Sequence, residues 1–262
     1  MLLYFYINIQ QNAIHLKSQN QIELIGDTIQ VTTPTTSESI QQLVTTGKAK
    51  NGNFEGVDII KALEDAGAAS FNDGEQKYYL TKFNTLDLEG ANLKNAKLKF
   101  LSAKKINLRN ANLNLADISN NWWDEADFSA ASLHRADLSR SIMKGANFEK
   151  SSSGALELLG GDFTNANFKD AEMDGVDMRA ANFTAANFEN AIIDSDGPYD
   201  PHYLGANFTD ANFKGAKIFL TEFVATKNSA SEGDVIERAM ENIILCRTIM
   251  PDGTINNRDC KS

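Results

Sequence analysis

Large apolar residues recur at every fifth position over most of this chain. Phe83, Leu88, Leu93 and Leu98 open the series, and Leu108, Leu113, Ile118, Trp123, Phe128, Leu133, Leu138, Met143 and Phe148 continue it. It resumes at Leu158, Phe163, Phe168, Met173, Met178, Phe183, Phe188 and Ile193. After a loop it returns at Phe208, Phe213, Ile218 and Phe223, still in the same five-residue register. Ala103, Ser153 and Pro198 break the series, while Tyr203 fits it. Two positions before most large residues stands a small one, as at Ala91, Ala126, Ala166 and Ala206, and the residue between them is usually Asn or Asp. A period of five matches neither a helix at 3.6 nor a strand at 2. It suits a chain that turns a corner every five residues and stacks coil upon coil.

The units that carry the pattern, among them GANLK, NANLN, EADFS, RADLS, TNANF and AANFT, resemble the pentapeptide-repeat family over about residues 81–223. That resemblance implies an all-β solenoid, a right-handed quadrilateral β-helix with four pentapeptides in each coil. Residues twenty apart should then stack on one face at the ~4.8 Å spacing of hydrogen-bonded strands. One interior column reads Leu88, Leu108, Phe128, Phe148, Phe168, Phe188, Phe208, and a neighbouring one reads Leu98, Ile118, Leu138, Leu158, Met178. The small residues let the corners close, and roughly seven coils would make a rod of about 34 Å. Trp123 is large for an interior site, so a local bulge is expected there.

The flanks divide from this run. Residues 1–36 read as a tail or a strand, since the apolar opening MLLYFYINIQ lacks the basic stretch and cleavage site of a signal peptide. Residues 37–80 read as a helical cap, two early repeats centred on Phe54 and Ile59, and an insertion expected as a helix and turn. Ser37 is the expected N-cap, Ile40, Leu43 and Val44 form one face, and Gly47 is a natural stop. Residues 81–223 form the β-helix, interrupted after Ile193 by DSDGPYDPHYLG, whose Gly and Pro demand turns. Residues 224–262 hold the insertion ATKNSASEG, a last coil with Met240 and Leu245, and a Cys-bounded C-terminal loop.

That tail, LCRTIMPDGTINNRDC, resembles the Cys-x-Thr-x-Met-Pro-Asp-Gly…Cys ending of many cyanobacterial pentapeptide proteins. Pro251-Asp252-Gly253 is a turn signal across which Cys246 and Cys260 can meet. A structural disulfide there would contribute about 3 kcal/mol. The alternatives are two reduced thiols or a regulatory pair. A bridge implies an oxidising compartment such as periplasm or thylakoid lumen, and free thiols imply the cytoplasm.

Charge narrows the chemistry. A formal net charge of −10 argues against nonspecific binding to nucleic acid or anionic lipid. No apolar run approaches the ~20 residues of a membrane-spanning helix. The three histidines, His15, His134 and His202, are far apart, and two cysteines do not make a zinc site. With no nucleophile–base pair, phosphate-binding Gly loop or metal-ligand spacing, the sequence points away from an enzyme, a cofactor or a metal.

What remains are candidate contact surfaces. In the four-sided arrangement Asp117, Asp137, Glu157 and Asp177 stack as an outward row of carboxylates. The row is either a mimic of DNA phosphates or a cation-binding edge, or else simply the polar position of the repeat. Asn147, Asn167, Asn187 and Asn207 form the matching row on the Phe face and should hydrogen-bond along it. Trp122 should point outward, as a partner contact or packed on a loop. Asp196, Tyr199, Asp200 and His202 could hold a cation or merely turn the chain. Residues 81–120 carry seven Lys or Arg against three acids, and residues 121–200 carry fifteen acids against six bases, which suits self-association or an oppositely charged protein.

The leading function is a non-enzymatic structural or protein-binding scaffold. The alternative is a DNA-mimicking inhibitor or protector of a nucleic-acid enzyme, because the resemblance extends to the quinolone-resistance branch, which engages DNA gyrase. The basic opening coils and the polar, Cys-bounded end count against that alternative, since that branch ends in an apolar dimerisation module.

Overall fold

The computed structural model describes residues 21–25, 28–195, 203–220 and 243–260. Within each five-residue unit the large residue and the small residue two places before it both face inward. Ala126 with Phe128 and Ala186 with Phe188 are wholly buried. Corners form by a hydrogen bond such as that from the Ala91 N–H to the Leu88 carbonyl at 3.0 Å, with Gly90, the third residue of the turn, at φ 67°. The same left-handed residue returns every five positions. Asn95, Asn110 and Asn165 suit it, but Phe100 and Leu115 adopt it too, at φ 60° and 62°. Such a conformation costs an ordinary side chain roughly 1–2 kcal/mol, and only a continuous ladder can offset that at corner after corner.

The ladder is parallel. Leu88 donates its N–H to the Asn107 carbonyl at 2.8 Å, and Asn107 donates to Leu86 at 3.0 Å. On one face the chain pairs in the order Lys48, Asp87, Asn107, Asp127, Asn147, Asn167, Asn187, Asn212, Ile249. Eight steps of about 4.8 Å make a stack about 38 Å long.

Inside, Phe128, Phe148, Phe168 and Phe188 stack with centroids 4.6, 4.6 and 4.9 Å apart and planes within 4°. The expected column is wrong at its last member. Phe188 is followed by Phe213, 4.7 Å away and tilted by 3°, whereas Phe208 lies on Phe183 at 5.3 Å, in the column of Phe163. The pairs Asn182 with Asn207 and Asn187 with Asn212 are 25 residues apart, where the bridges between Asp87 and Asn187 are 20 apart. The loop after Ile193 thus adds five residues, which advances the chain by one face while preserving the five-residue register. Asn207 leaves its expected row for the same reason.

Trp123 causes no bulge. Its neighbour Trp122 pairs in regular steps with Ser102 and Ile142, and Trp123 itself is fully buried. The member of its column one coil earlier is the small Ala103. Compensation of this kind operates within units as well. Leu86 precedes Leu88 and Ile106 precedes Leu108, but once the column turns to Phe the partner is Ala, as at Ala126, Ala146 and Ala166. Larger inward residues are thus offset by smaller partners, as a close-packed interior requires.

The ends are built separately. Strands β1 (Gln21–Ile25) and β2 (Thr28–Thr32) form an antiparallel hairpin. Helix α1 (Thr36–Thr46) begins two residues earlier than expected, because Thr35 is the N-cap and forms a capping box with Glu38, displacing Ser37 from that role. Gly47 ends it in the left-handed conformation, at φ 72°. Leu43 of α1 is buried on the first coil, and the Ser39 hydroxyl accepts the Asn53 N–H at 2.8 Å, satisfying a donor on the exposed end of the stack.

Phe54 and Ile59 belong to that first coil, whose pairs, such as Asn53 with Asn92, are 39 residues apart. The excess over one coil is held by helix α2 (Ile59–Asp65) and a hairpin of β3 (Ala69–Asn72) and β4 (Lys77–Leu80). Strand β4 then lies parallel on β5 (Leu101–Ser102). Farther along, β6 (Ser152–Gly154), β7 (Glu172–Asp174), β8 (Ile192–Ser195) and β9 (Lys217–Leu220) form a four-stranded parallel sheet on one face. The last coil pairs Ile244 with Asn207 and ends in the antiparallel pair β10 (Thr248–Ile249) and β11 (Ile255–Asn256).

Candidate interaction face

Asp117, Asp137, Glu157 and Asp177 are consecutive rungs of one ladder, which begins below them with Asp58 and Lys97. Their side chains point outward because the residues on either side, such as Ala136 and Leu138 around Asp137, are turned into the core. Across the described β-helix, Asp or Asn at this middle position accepts the N–H two residues on: Ser139 to Asp137 at 2.8 Å, Arg179 to Asp177 at 3.0 Å, Glu149 to Asn147 at 3.2 Å. One carboxylate oxygen is thereby used locally and the other is left for a cation.

The cation comes from eighteen residues earlier, one coil down and two along. Lys99 pairs with Asp117 at 2.9 Å, Arg109 approaches Asp127 at 3.9 Å, and Lys144 pairs with Asp162 at 3.2 Å. For Asp137 and Glu157 the corresponding residues are Ser119 and Ser139. Among the described residues, no ion pair reaches either carboxylate. Asp177 is held instead by Arg179 in its own unit, at 2.6 Å. Desolvation against the face pushes the Glu157 pKa up, and the charges of Asp137, Asp177 and Asp117 add to it, while the Arg179 guanidinium, beyond ion-pair distance, opposes them in part. Asp162 shows the contrast: burial pushes its pKa up, but the Thr164 hydroxyl and N–H and Lys144 outweigh that and lower it.

The Asn row is a chain of side-chain amide hydrogen bonds directed toward the N-terminal end. Asn212 donates to Asn187 at 3.1 Å, Asn187 to Asn167 at 3.2 Å, Asn167 to Asn147 at 3.1 Å, and Asn147 to Asp127 at 3.2 Å. A second row runs from Asn207 through Asn182 to Asp162. Each ends on an Asp, which needs no donor of its own.

Trp122 is half-buried, with the Lys77 ammonium from the β3–β4 hairpin 4.7 Å above its ring. Cys246 and Cys260 stand at disulfide distance, Sγ to Sγ 2.09 Å. Arg247 beside them forms a two-pronged pair with Asp210, both contacts at 2.6 Å. Asp196, Tyr199, Asp200 and His202 lie outside the described residues, as does Met240. Among the described residues no three His, Cys, Asp or Glu side chains cluster to hold a metal, and no helix is long and apolar enough to cross a membrane.

One structural arrangement at the Trp122 face goes beyond the five-residue pattern. Asn121 occupies a small-residue position and is fully buried, where its amide donates to the Leu98 and Ile118 carbonyls at 2.7 Å and accepts the Leu101 N–H at 2.9 Å. It stitches coils together beside Trp123. The available signal was that no other small-residue position of the run from Leu86 to Ala191 holds Asn.

The family model described as pentapeptide repeats matches residues 111–149 and 162–194, in eight copies. No relative was found among curated protein sequences. Among solved structures, a pentapeptide-repeat protein from the Arabidopsis thaliana thylakoid lumen is 24% identical, over 44% of this chain and 83% of its own, with a TM-score of 0.26. HetL, a pentapeptide-repeat protein involved in heterocyst differentiation regulation in the cyanobacterium Nostoc, is 18% identical over 80% of this chain and 81% of its own, at 0.23. QnrB1, a plasmid-mediated fluoroquinolone resistance protein, is 15% identical over 63% and 79%, at 0.34. Likeness at this level carries no argument about role.

Proposed function

This chain is a pentapeptide-repeat protein, and from that premise we propose that it acts without chemistry of its own, as a rigid scaffold that binds another protein through the face of Asp117, Asp137, Glu157 and Asp177. The observation that carries the reading is the pair Asp137 and Glu157, adjacent on a fixed ladder and without the ion pair that Asp117 and Asp177 on either side have. Two like charges held one coil apart cost stability, and a basic partner surface would relieve that cost on binding. A packed stack keeps their spacing constant, so little ordering is lost when a partner docks. The closed Cys246–Cys260 loop favours an oxidising compartment for this work.

The test is the double variant Asp137→Asn with Glu157→Gln. It should keep the fold, melt no lower than the parent, and lose the protein that cross-links to the parent in an extract of the source organism. Retention of that partner by the variant would overturn the reading. The DNA-mimicking alternative rests on the same carboxylates and is separated by a supercoiling assay. If the parent chain alters gyrase supercoiling and the variant does not, that alternative replaces the scaffold.

A further inference from the structure

The N-terminal end of the stack is closed by α1 over the first coil, but the face that begins with the β3–β4 hairpin is not. There β4 lies on β5 and β3 lies outside β4, as the last strand of its sheet. The Thr81 N–H donates to the Ala68 carbonyl at 2.9 Å, and the Tyr78 N–H donates on the opposite side to the Phe100 carbonyl at 2.6 Å. In an antiparallel pair the backbone groups alternate in direction. Residues 68, 70 and 72 therefore face β4, and the Phe71 N–H and C=O face away from it. No described group pairs with them.

Side chains reinforce the point. Leu101, Tyr78 and Phe71 are in register across the three strands and share one side of the sheet. Leu101 is fully buried, Tyr78 is half-buried, and Phe71 is 40% exposed, its ring 4.9 Å from that of Tyr78. A row of apolar side chains thus leaves the core and stops at a strand edge that no described residue pairs with. The strand itself, Ala69-Ser70-Phe71-Asn72, carries no charge and no proline, the devices that ordinarily guard an edge against pairing.

We propose that this edge is an interface for a second copy of the chain: β3 pairs antiparallel with β3 of its partner across a two-fold axis at Phe71. Each Phe71 N–H then donates to the other's Phe71 carbonyl, and the apolar row runs unbroken from one core into the next. A two-fold arrangement makes one patch complementary to itself. An uncharged strand meets its own copy without like-charge contact, whereas an oppositely charged partner would find nothing on it to hold. A four-residue strand buries less than the ~1,000 Å² of a stable interface, so the dimer is weak, with a dissociation constant on the order of 100 µM.

Sedimentation equilibrium of the full chain from about 10 µM to about 1 mM covers that range. The expected result is a concentration-dependent dimer that Phe71→Lys abolishes and that Asp137→Asn with Glu157→Gln leaves intact. Should Phe71→Lys unfold, amide hydrogen exchange on the parent decides, because the Phe71 amide must slow as concentration rises. A monomer throughout, a dimer indifferent to Phe71→Lys, or a Phe71 amide whose exchange ignores concentration each overturns the proposal.

Discussion

The ring of Phe163 fills the space that a side chain on Gly161 would need: a Cβ placed there would stand 2.5 Å from Phe163 Cε2. Elsewhere in the same column the partner is larger, Ala181 before Phe183 and Ala206 before Phe208. Gly161→Ala should therefore destabilise by roughly 1–3 kcal/mol through overpacking, read as a lowered thermal midpoint. Adding Phe163→Leu should recover part of that loss. Strict additivity of the two changes would show that the ring is not the obstacle.

Phe168 lies between Phe148 and Phe188 in the most regular part of the core. Truncation to Ala should cost roughly 3–5 kcal/mol, since neighbouring coils hold the cavity open. A denaturation midpoint equal to the parent's would be incompatible with a load shared by that stack.

The 25-residue step is open to a direct test through the amide row. Asn187→Ala and Asn212→Ala should each cost about 1–3 kcal/mol, with a non-zero coupling because one side chain donates to the other. The same cycle on Asn187 and Asn207 should return no coupling. The reverse outcome would restore the uniform twenty-residue step.

Glu157 and Asp210 should respond oppositely to pH. The Glu157 pKa is raised in the fold above its ordinary 4.5, so its ionisation opposes folding at neutral pH and the penalty fades as pH falls through the raised value. Glu157→Gln should be the more stable protein at pH 7, with the advantage gone below the ordinary carboxylate range. Arg247 lowers the Asp210 pKa below its ordinary 3.8, so that pair's stabilisation is present at neutral pH and disappears under acid. Asp210→Asn should be less stable at pH 7 and equal to the parent at low pH. Melting curves from pH 7 down to about pH 2 decide both.

Cys246 and Cys260 are 14 residues apart in sequence. Closing such a loop should contribute about 3 kcal/mol, and reductant should lower protection from hydrogen exchange first in residues 243–260. Protection indifferent to reductant, in a protein shown to be oxidised beforehand, would mean that the backbone bonds alone hold the loop.

The regular part of the fold was legible because a solenoid coil contacts only its neighbours. A local repeat such as Ala126-Asp127-Phe128 fixes which residues face in, and twenty-residue stacking follows without long-range information. The carboxylate row was legible for the same reason. Its ion pairs were not, because Lys99 and Asp117 meet only after the coil closes, and the rule that spares Asp137 depends on Ser119, eighteen residues away. Phe71 gave no signal either, because its exposure depends on where the hairpin lands.

By itself, then, the sequence determined the period, the inward and outward positions, and the identity of the stacked columns within an uninterrupted run. Tertiary structure decided how the chain crosses its insertions. A five-residue register is blind to any insertion that is a multiple of five, so Phe188 followed by Phe208 looks as regular as Phe188 followed by Phe213. The choice is made by packing and hydrogen bonding at once: Phe213 and Asn212 reach Phe188 and Asn187 in step, while Phe208 and Asn207 settle on Phe183 and Asn182. Only the closed stack can compare those two alignments.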